Sequence, residues 1–311
     1  MVISQKFLNK EYGPIKFQVG FEKLREFLIA TKADLEKFSE FVSPTFPVVY
    51  QNVLLADVLF DKELNLNLRK LVHGEQEFNY LKPVKVGDTI ETKGKISKIF
   101  SKGKHDFVVF HTESFNQLQE KVCDSFWTFI VRGGNDTDFT LSEKLAMKFA
   151  SLLPEKAQEK SQKKLLLKEL ETINEKTIDL EKPFQDLFHV EKFNNKEVVY
   201  KVFIDKFLPQ VYAGASGDFN VIHLDKDFAK KVGLGTNILH GMATMALGVN
   251  MIAAEINPAK LKSYKVRFTG VVKPCDVLTY KGKWQSDEQF VFNAKNQAGQ
   301  EVLTAAEIVL N

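Results

Sequence analysis

Two stretches far apart in the chain carry the same text. Residues 80–96, YLKPVKVGDTIETKGKI, and residues 268–284, FTGVVKPCDVLTYKGKW, superpose without a gap. An aromatic residue, a Lys, an Asp and a Lys-Gly-Lys end coincide, with Asp88 on Asp276 and Gly94 on Gly282. Self-similarity of this length is the mark of a duplicated unit, and it constrains the fold more than any local pattern does. A chain of 311 residues is comfortable for two such units.

The texture around the two copies supports this division. The first dozen residues are polar and read as an arm. Phe21, Leu24 and Leu28, widened by Phe27, follow helical spacing across residues 17–30. Ser43-Pro44 marks a break before TFPVVYQNVLLADVLF, an apolar run long enough for a buried helix with Pro47 tolerated in its first turn. Alternating strand-like runs follow around Phe78 and Tyr80, Ile90 to Gly94, Phe107 to Phe110 and Phe126 to Ile130. Residues 136–182 are rich in Lys and Glu, with a narrow stripe of Leu166, Leu170 and Ile173, and read as a charged, mostly helical linker with a solvated face. Strands return at residues 198–204 and after residue 260. The expected organisation is therefore an N-terminal domain over 1–135, a linker over 136–182 and a C-terminal domain over 183–311. Both domains belong to the α+β class, with an antiparallel meander wrapped against a helix.

Composition narrows the function classes. With 44% hydrophobic and 27% charged residues, the chain has the material for a real core. A formal net charge of +3 gives no nucleic-acid footprint. No apolar run reaches the length of a membrane span, and residues 1–17 carry no signal-peptide core, so a cytoplasmic protein is expected. Cys123 and Cys275 stand far apart with no partner pattern, which signals neither a disulfide framework nor a zinc site.

The chemistry concentrates in residues 212–248, YAGASGDFNVIHLDKDFAKKVGLGTNILHGMATMALG. Asp218 and His223 are an acid–base pair five residues apart. Gly241 opens an apolar helix whose first N–H groups could face a developing oxyanion. Taken alone, an Asp after Gly closes turns and a His beside an apolar helix is a core residue. Here they come with Tyr212, Ser216-Gly217, Asn220 and the Leu239-His240-Gly241-Met242 run.

At these spacings the stretch resembles the R-specific enoyl-CoA hydratases, the MaoC-like proteins of the hot-dog fold. Val221 departs from the Pro that many members carry, which loosens the turn and removes no chemical group. The resemblance implies two fused hot-dog domains, each an antiparallel sheet around a central helix, acting as a monomeric double hot-dog or a homodimer of it. It also implies a hydro-lyase that adds or removes water at the C2–C3 bond of acyl-CoA or acyl carrier protein thioesters in fatty acid metabolism. Asp218 and His223 would activate the water, the Gly241 N–H would polarise the thioester carbonyl, and Tyr212, Asn220 and His240 would support the site. No metal and no bound cofactor are expected. Lys230, Lys231, Lys262, Lys265 and Arg267 could meet a carrier, although each singly reads as solvated surface.

The first copy reads as chemically silent. Laying residues 27–34 on 211–218 puts Asp34 at Asp218 and Ser39 where His223 stands. His73, in LVHGEQEFNY, reads as a loop or strand-end residue. The segment from Ser43 to Asp88 is similar to the substrate-binding subunit of mycobacterial-type hydroxyacyl-ACP dehydratases, which implies that this half shapes the pocket. Its apolar run of Val48, Val49, Val53, Leu54, Leu55, Val58 and Leu59 is the expected lining of an acyl tunnel. A hot-dog thioesterase is the first alternative, but the helix after Gly241 offers no carboxylate before Glu255. A non-enzymatic acyl-binding module is the second, and it would need neither Asp218 nor His223.

Overall fold

The protein's structure, a computed structural model, describes residues 3–66, 70–132, 188–193 and 197–311. The charged stretch expected to be a helical linker lies outside the described residues. The N-terminal half holds β1 (Glu11–Gln18), α1 (Phe21–Ala30), α2 (Pro47–Leu59), β2 (Leu71–Tyr80), β3 (Thr89–Lys102), β4 (His105–Phe115) and β5 (Lys121–Val131). The C-terminal half holds β6 (Phe188–Phe193), β7 (Glu197–Phe203), α3 (Leu208–Ser216), α4 (Val221–Leu224), α5 (Lys226–Lys231), α6 (Gly241–Val249), β8 (Leu261–Phe268), β9 (Val277–Trp284), β10 (Gln289–Lys295) and β11 (Glu301–Leu310).

One antiparallel sheet of eleven strands runs through both halves in the order β1-β3-β4-β5-β2-β8-β11-β10-β9-β7-β6. Read outward from the central β2–β8 pair, the two halves repeat one another, and β6 is an added edge. Strand formation follows from alternation: in β7 Val198, Tyr200 and Val202 are buried while Glu197 and Lys201 face solvent. Each half presses an apolar helix on its sheet. In α6, GMATMALGV, every residue from Met242 to Val249 is buried, as expected of a helix apolar on all sides. In α2, Pro47 sits at the helix start, where its missing N–H costs nothing.

The repeated text becomes repeated geometry. The Asp88 carboxylate accepts from the Lys85 N–H at 2.8 Å and from Gln117 Nε2 at 2.9 Å. Asp276 accepts from the Lys273 N–H and from Gln297 Nε2, both at 2.8 Å. The residue before each Asp takes a left-handed conformation, Gly87 at φ +95° and Cys275 at φ +71°. Gly94 and Gly282 serve close packing instead. A Cβ on Gly94 would lie 2.6 Å from the Phe110 ring, and one on Gly282 would collide with Phe290 and with the Phe292 Cβ. Gly282→Ala is therefore expected to destabilise the fold by about 1–3 kcal/mol, because both rings are core residues with nowhere to retreat. Urea unfolding checks this, and an unchanged midpoint would contradict the packing described.

Two expectations are corrected. The first dozen residues are no arm, since residues 5–7 form a 3₁₀ turn and β1 begins at Glu11 as the edge strand on β3, with Phe17 opposite Ile90. Of the apolar run in α2, Val48, Val49, Leu54, Leu55 and Val58 are core, whereas Val53 is 59% exposed and lines no closed tunnel. A helix apolar on nearly every side has no polar face to announce which side looks outward.

Candidate active site

The two halves meet where the site forms. β2 and β8 pair with Glu75 opposite Arg267. Glu75 accepts from Arg267 at 3.1 Å and Lys265 at 3.0 Å, and Lys265 also reaches Glu77 at 3.2 Å. These two basic residues are thus committed to the junction, and each such half-exposed pair pins register more than it adds stability. Across the helices, Lys23 Nζ donates to the Gly214 carbonyl at 2.8 Å, and Asn250 donates to the Thr31 and Lys32 carbonyls at 3.0 and 3.1 Å.

The local sequence sets the segment from Gly217 to His223. Gly217 ends α3 at φ +80°, a conformation that costs other residues about 1–2 kcal/mol, and its N–H closes on the Ala213 carbonyl at 2.9 Å. The chain then turns through Asp218, whose N–H donates to Ser216 Oγ at 3.2 Å and whose Oδ1 accepts from the Asn220 N–H at 3.1 Å. Asn220 caps α4 by accepting from the Ile222 N–H. That short helix delivers His223, buried, with Nδ1 at 2.9 Å from the Ile238 carbonyl. A carbonyl only accepts, so Nδ1 carries the proton and Nε2 keeps its lone pair. His240 caps α6 from the next element, and its Nε2 donates to the Asp218 carbonyl at 2.8 Å. The His223 and His240 rings stack at 3.6 Å, and Tyr212 lies 4.9 Å from His240. His240 Nδ1 and the Tyr212 hydroxyl are buried without a partner among the described residues.

Side-chain donor atoms of Asp218, His223 and His240 all lie within 4.8 Å of one another. Their geometry suits protons better than a metal ion. Imidazole lone pairs lie in the ring plane, and rings stacked with 24° between their planes cannot both aim at one ion.

The electrostatics follow from burial. Burial alone would raise the Asp218 carboxyl, but His240, His223, the Asn220 N–H and His73 outweigh it and hold it below the ordinary carboxylate value. Its side chain is 38% exposed, so solvent reaches it. Burial lowers His223 against the pull of Asp218. Burial, followed by the neighbouring His223, lowers His240 to about 3. An ionised Asp thus faces two neutral imidazoles at neutral pH. His73 is lowered to about 4, again by burial.

The consequence for stability has a definite sign. Each of these His groups binds its proton less readily when folded than when unfolded, so as pH falls the unfolded chain is protonated first. Stability is therefore complete above about 6.5, the unfolded value, and declines as pH falls toward about 4 for His73 and about 3 for His240. Urea midpoints should drop between pH 7.5 and pH 5.0, and equal midpoints would contradict neutral burial of these rings.

At Gly241 the first N–H groups of α6 have no intrahelical acceptor and point along the helix start. A Cβ there would sit 3.2–3.3 Å from the face of Phe268, so only a glycine lets the backbone lie on that ring undisturbed. The N-terminal half reaches the same place. Asn52 on α2 donates to the Ser216 carbonyl at 3.4 Å. Of the two places the sequence suggested, a loop or a strand end, His73 takes the second as the third residue of β2, with its ring 4.9 Å from Phe268. Its nearness to the site was missed because Phe268, the partner that brings it there, belongs to the other half of the chain.

The first copy can be read against the second residue by residue. Leu239 N–H donates to the Val272 carbonyl just as Val42 N–H donates to Val84, and Ala243 to His240 just as Phe46 to Ser43. Ser43 therefore stands for His240, and Pro44 for Gly241. A proline has no N–H to offer an oxyanion. Asp34 keeps the turn of Asp218, accepting from the Glu36 N–H at 2.9 Å, but is exposed, and Ser39 replaces His223.

Paired halves, each wrapping one apolar helix, with a single Asp–His site at their junction, define a double hot-dog protein of the hydratase type. The chain matches the MaoC like domain family over residues 201–306 and the MFE-2 hydratase 2 N-terminal domain family over residues 22–133. It belongs to the MaoC-like family in its double hot-dog form. Among its relatives is a probable enoyl-CoA hydratase 2 of Dictyostelium discoideum, 22% identical, with 98% of this chain and 96% of the relative covered. The peroxisomal hydratase-dehydrogenase-epimerase of Saccharomyces cerevisiae is 28% identical over 81% of this chain, which spans only 24% of that longer protein. The structure of a MaoC-like dehydratase from Phytophthora capsici superposes with a TM-score of 0.70 at 19% identity, covering 98% of both chains, and shows the shared fold.

Proposed function

We propose that the protein is a hydro-lyase that interconverts 2-enoyl and (3R)-3-hydroxyacyl thioesters in fatty acid metabolism. The observation that carries this reading is the pairing of an ionised Asp218 with a neutral His223 whose Nε2 is free, beside the N-terminus of α6. One water accepted between Asp218 and His223 Nε2 would lose a proton to this pair as its oxygen bonds to C3. The electrons of the C2–C3 double bond shift toward the thioester, and C2 takes up the proton that the pair holds. Enolate-like charge on the thioester oxygen is met by the Gly241 N–H, an interaction worth on the order of 3 kcal/mol per well-placed donor. Dehydration is the same path reversed. Tyr212 and His240, each with a buried polar atom lacking a protein partner, and Asn220, which caps α4, support the segment.

Coenzyme A or acyl carrier protein would present the acyl group, with no bound cofactor and no metal in the chemistry. We take the chain to act as a monomeric double hot-dog in the cytoplasm, because the β2–β8 pairing already supplies both halves of the site within one chain. No helix among the described residues is long and apolar enough to cross a membrane. The thioesterase reading is weaker, since α6 carries no carboxylate along its length. Following the conjugated thioester absorbance of a 2-enoyl substrate alongside free thiol separates the two. Hydration removes the absorbance without releasing thiol, whereas thiol release would overturn this reading.

A further inference from the structure

The N-terminal half contributes more than a wall. Four groups follow one another in contact across the junction: the Gly241 backbone, the Phe268 ring, the His73 ring tilted 56° to it, and the Trp127 ring. Phe268 lies against Gly241 at the distance where a Cβ would touch its face. His73 packs on Phe268 at 4.9 Å and stacks on Trp127 at 5.5 Å with 17° between planes, and Phe129 closes the box at 5.3 Å. His73 is fixed in its plane by its own bond, Nε2 to the Glu75 carbonyl at 3.1 Å. Its backbone is fixed as well, because β2 shifts register against β5 between His73 and Glu75, and a Cβ on Gly74 would strike Ile130. The equivalent of His73 in the duplicated frame is Leu261, which lies in β8 beneath the silent site, so this aromatic layer belongs to the working site alone.

We infer that His73 is a positioning residue of the C-terminal site, holding Phe268 beneath Gly241 and so fixing the N–H that meets the thioester oxygen. This rests on the hydratase reading above. The ring acts by its packing against Phe268 and Trp127 and not by proton transfer, which agrees with its staying neutral across the working pH range. Misplacing a catalytic group by about 1 Å costs on the order of 10²-fold in rate. Because the oxyanion exists only near the transition state, the loss belongs in kcat and not in KM.

The test compares His73→Ala, His73→Leu and His73→Phe in the full chain, with hydration of a 2-enoyl-CoA as the assay. Rates are normalised to folded protein from unfolding curves. Ala and Leu should each lower kcat at least tenfold with KM changed less than threefold, and Phe should keep kcat within threefold of wild type. Leu fills most of the volume, so it keeps the test open if Ala does not fold. Unchanged kcat per folded molecule in Ala or Leu would overturn the inference, because a merely structural ring affects only the folded fraction. Loss of kcat in Phe would overturn it too, by making the ring nitrogens and not the packing responsible. If wild type itself hydrates no enoyl thioester, the hydratase reading fails instead.

Discussion

Asp218→Asn and His223→Ala should each lower turnover by about 10²–10⁴-fold or more while leaving the fold intact. The two side chains would hold one water from one short segment, so neither can substitute for the other. Asp218→Asn keeps shape and can still accept from the Asn220 N–H, but it removes the negative charge that would draw a proton from the water. His223→Ala removes the Nε2 left free by the bond of Nδ1 to the Ile238 carbonyl, and it also strips a stacked ring from His240. Steady-state hydration of a short 2-enoyl thioester, read beside a far-ultraviolet circular dichroism spectrum, decides the matter. Near-normal turnover in either variant, with native secondary structure, would remove the acid–base assignment.

The second large effect concerns the N-terminal half, which contributes neither Asp218 nor His223. Residues 183–311 alone should show at least a hundredfold lower hydration of long-chain enoyl thioesters than the full chain. Three losses coincide in such a fragment. β8 loses its partner β2 and exposes a row of unpaired backbone groups, an aggregation hazard at any sheet edge. Buried Tyr264 and Val266 lose part of their cover, and Tyr212 loses Phe27, which packs on it at 5.8 Å. Phe268, which lies against Gly241, loses the His73 ring packed on it at 4.9 Å. Size-exclusion chromatography must accompany the assay, because the fragment could pair β8 with a second copy of itself. A folded, monomeric fragment working at the full-length rate would contradict the division of labour between the halves.

Much of this arrangement was legible in the sequence because it is written in local chemistry. The duplication is visible at Asp88 and Asp276, where an Asp must accept from its own turn, and at Gly94 and Gly282, where a ring leaves no room for a Cβ. The segment from Gly217 to Gly241 is equally readable, since a left-handed glycine, an Asn cap and a helix start each demand a residue type. Contacts across the junction were not legible. His73 looks ordinary among its neighbours in β2, and only the pairing of β2 with β8 brings it to Phe268. The reason the first copy would be silent was half visible. Ser39 in place of a His stands in the sequence, whereas Pro44 in place of Gly241 emerges only from matched hydrogen bonds, because α2 begins three residues later than α6 in the duplicated frame. β1 was hidden for another reason: an edge strand with no fully buried residue carries little alternation to detect.

The configuration at C3 of the product tests the central claim most directly. Asp218 and His223 come from one turn and would deliver water and proton to the same face of a thioester held at Gly241. Wild-type protein incubated with a 2-enoyl-CoA should give the (3R)-3-hydroxyacyl product, resolved by chiral chromatography after hydrolysis of the thioester. A predominantly S product would contradict the account.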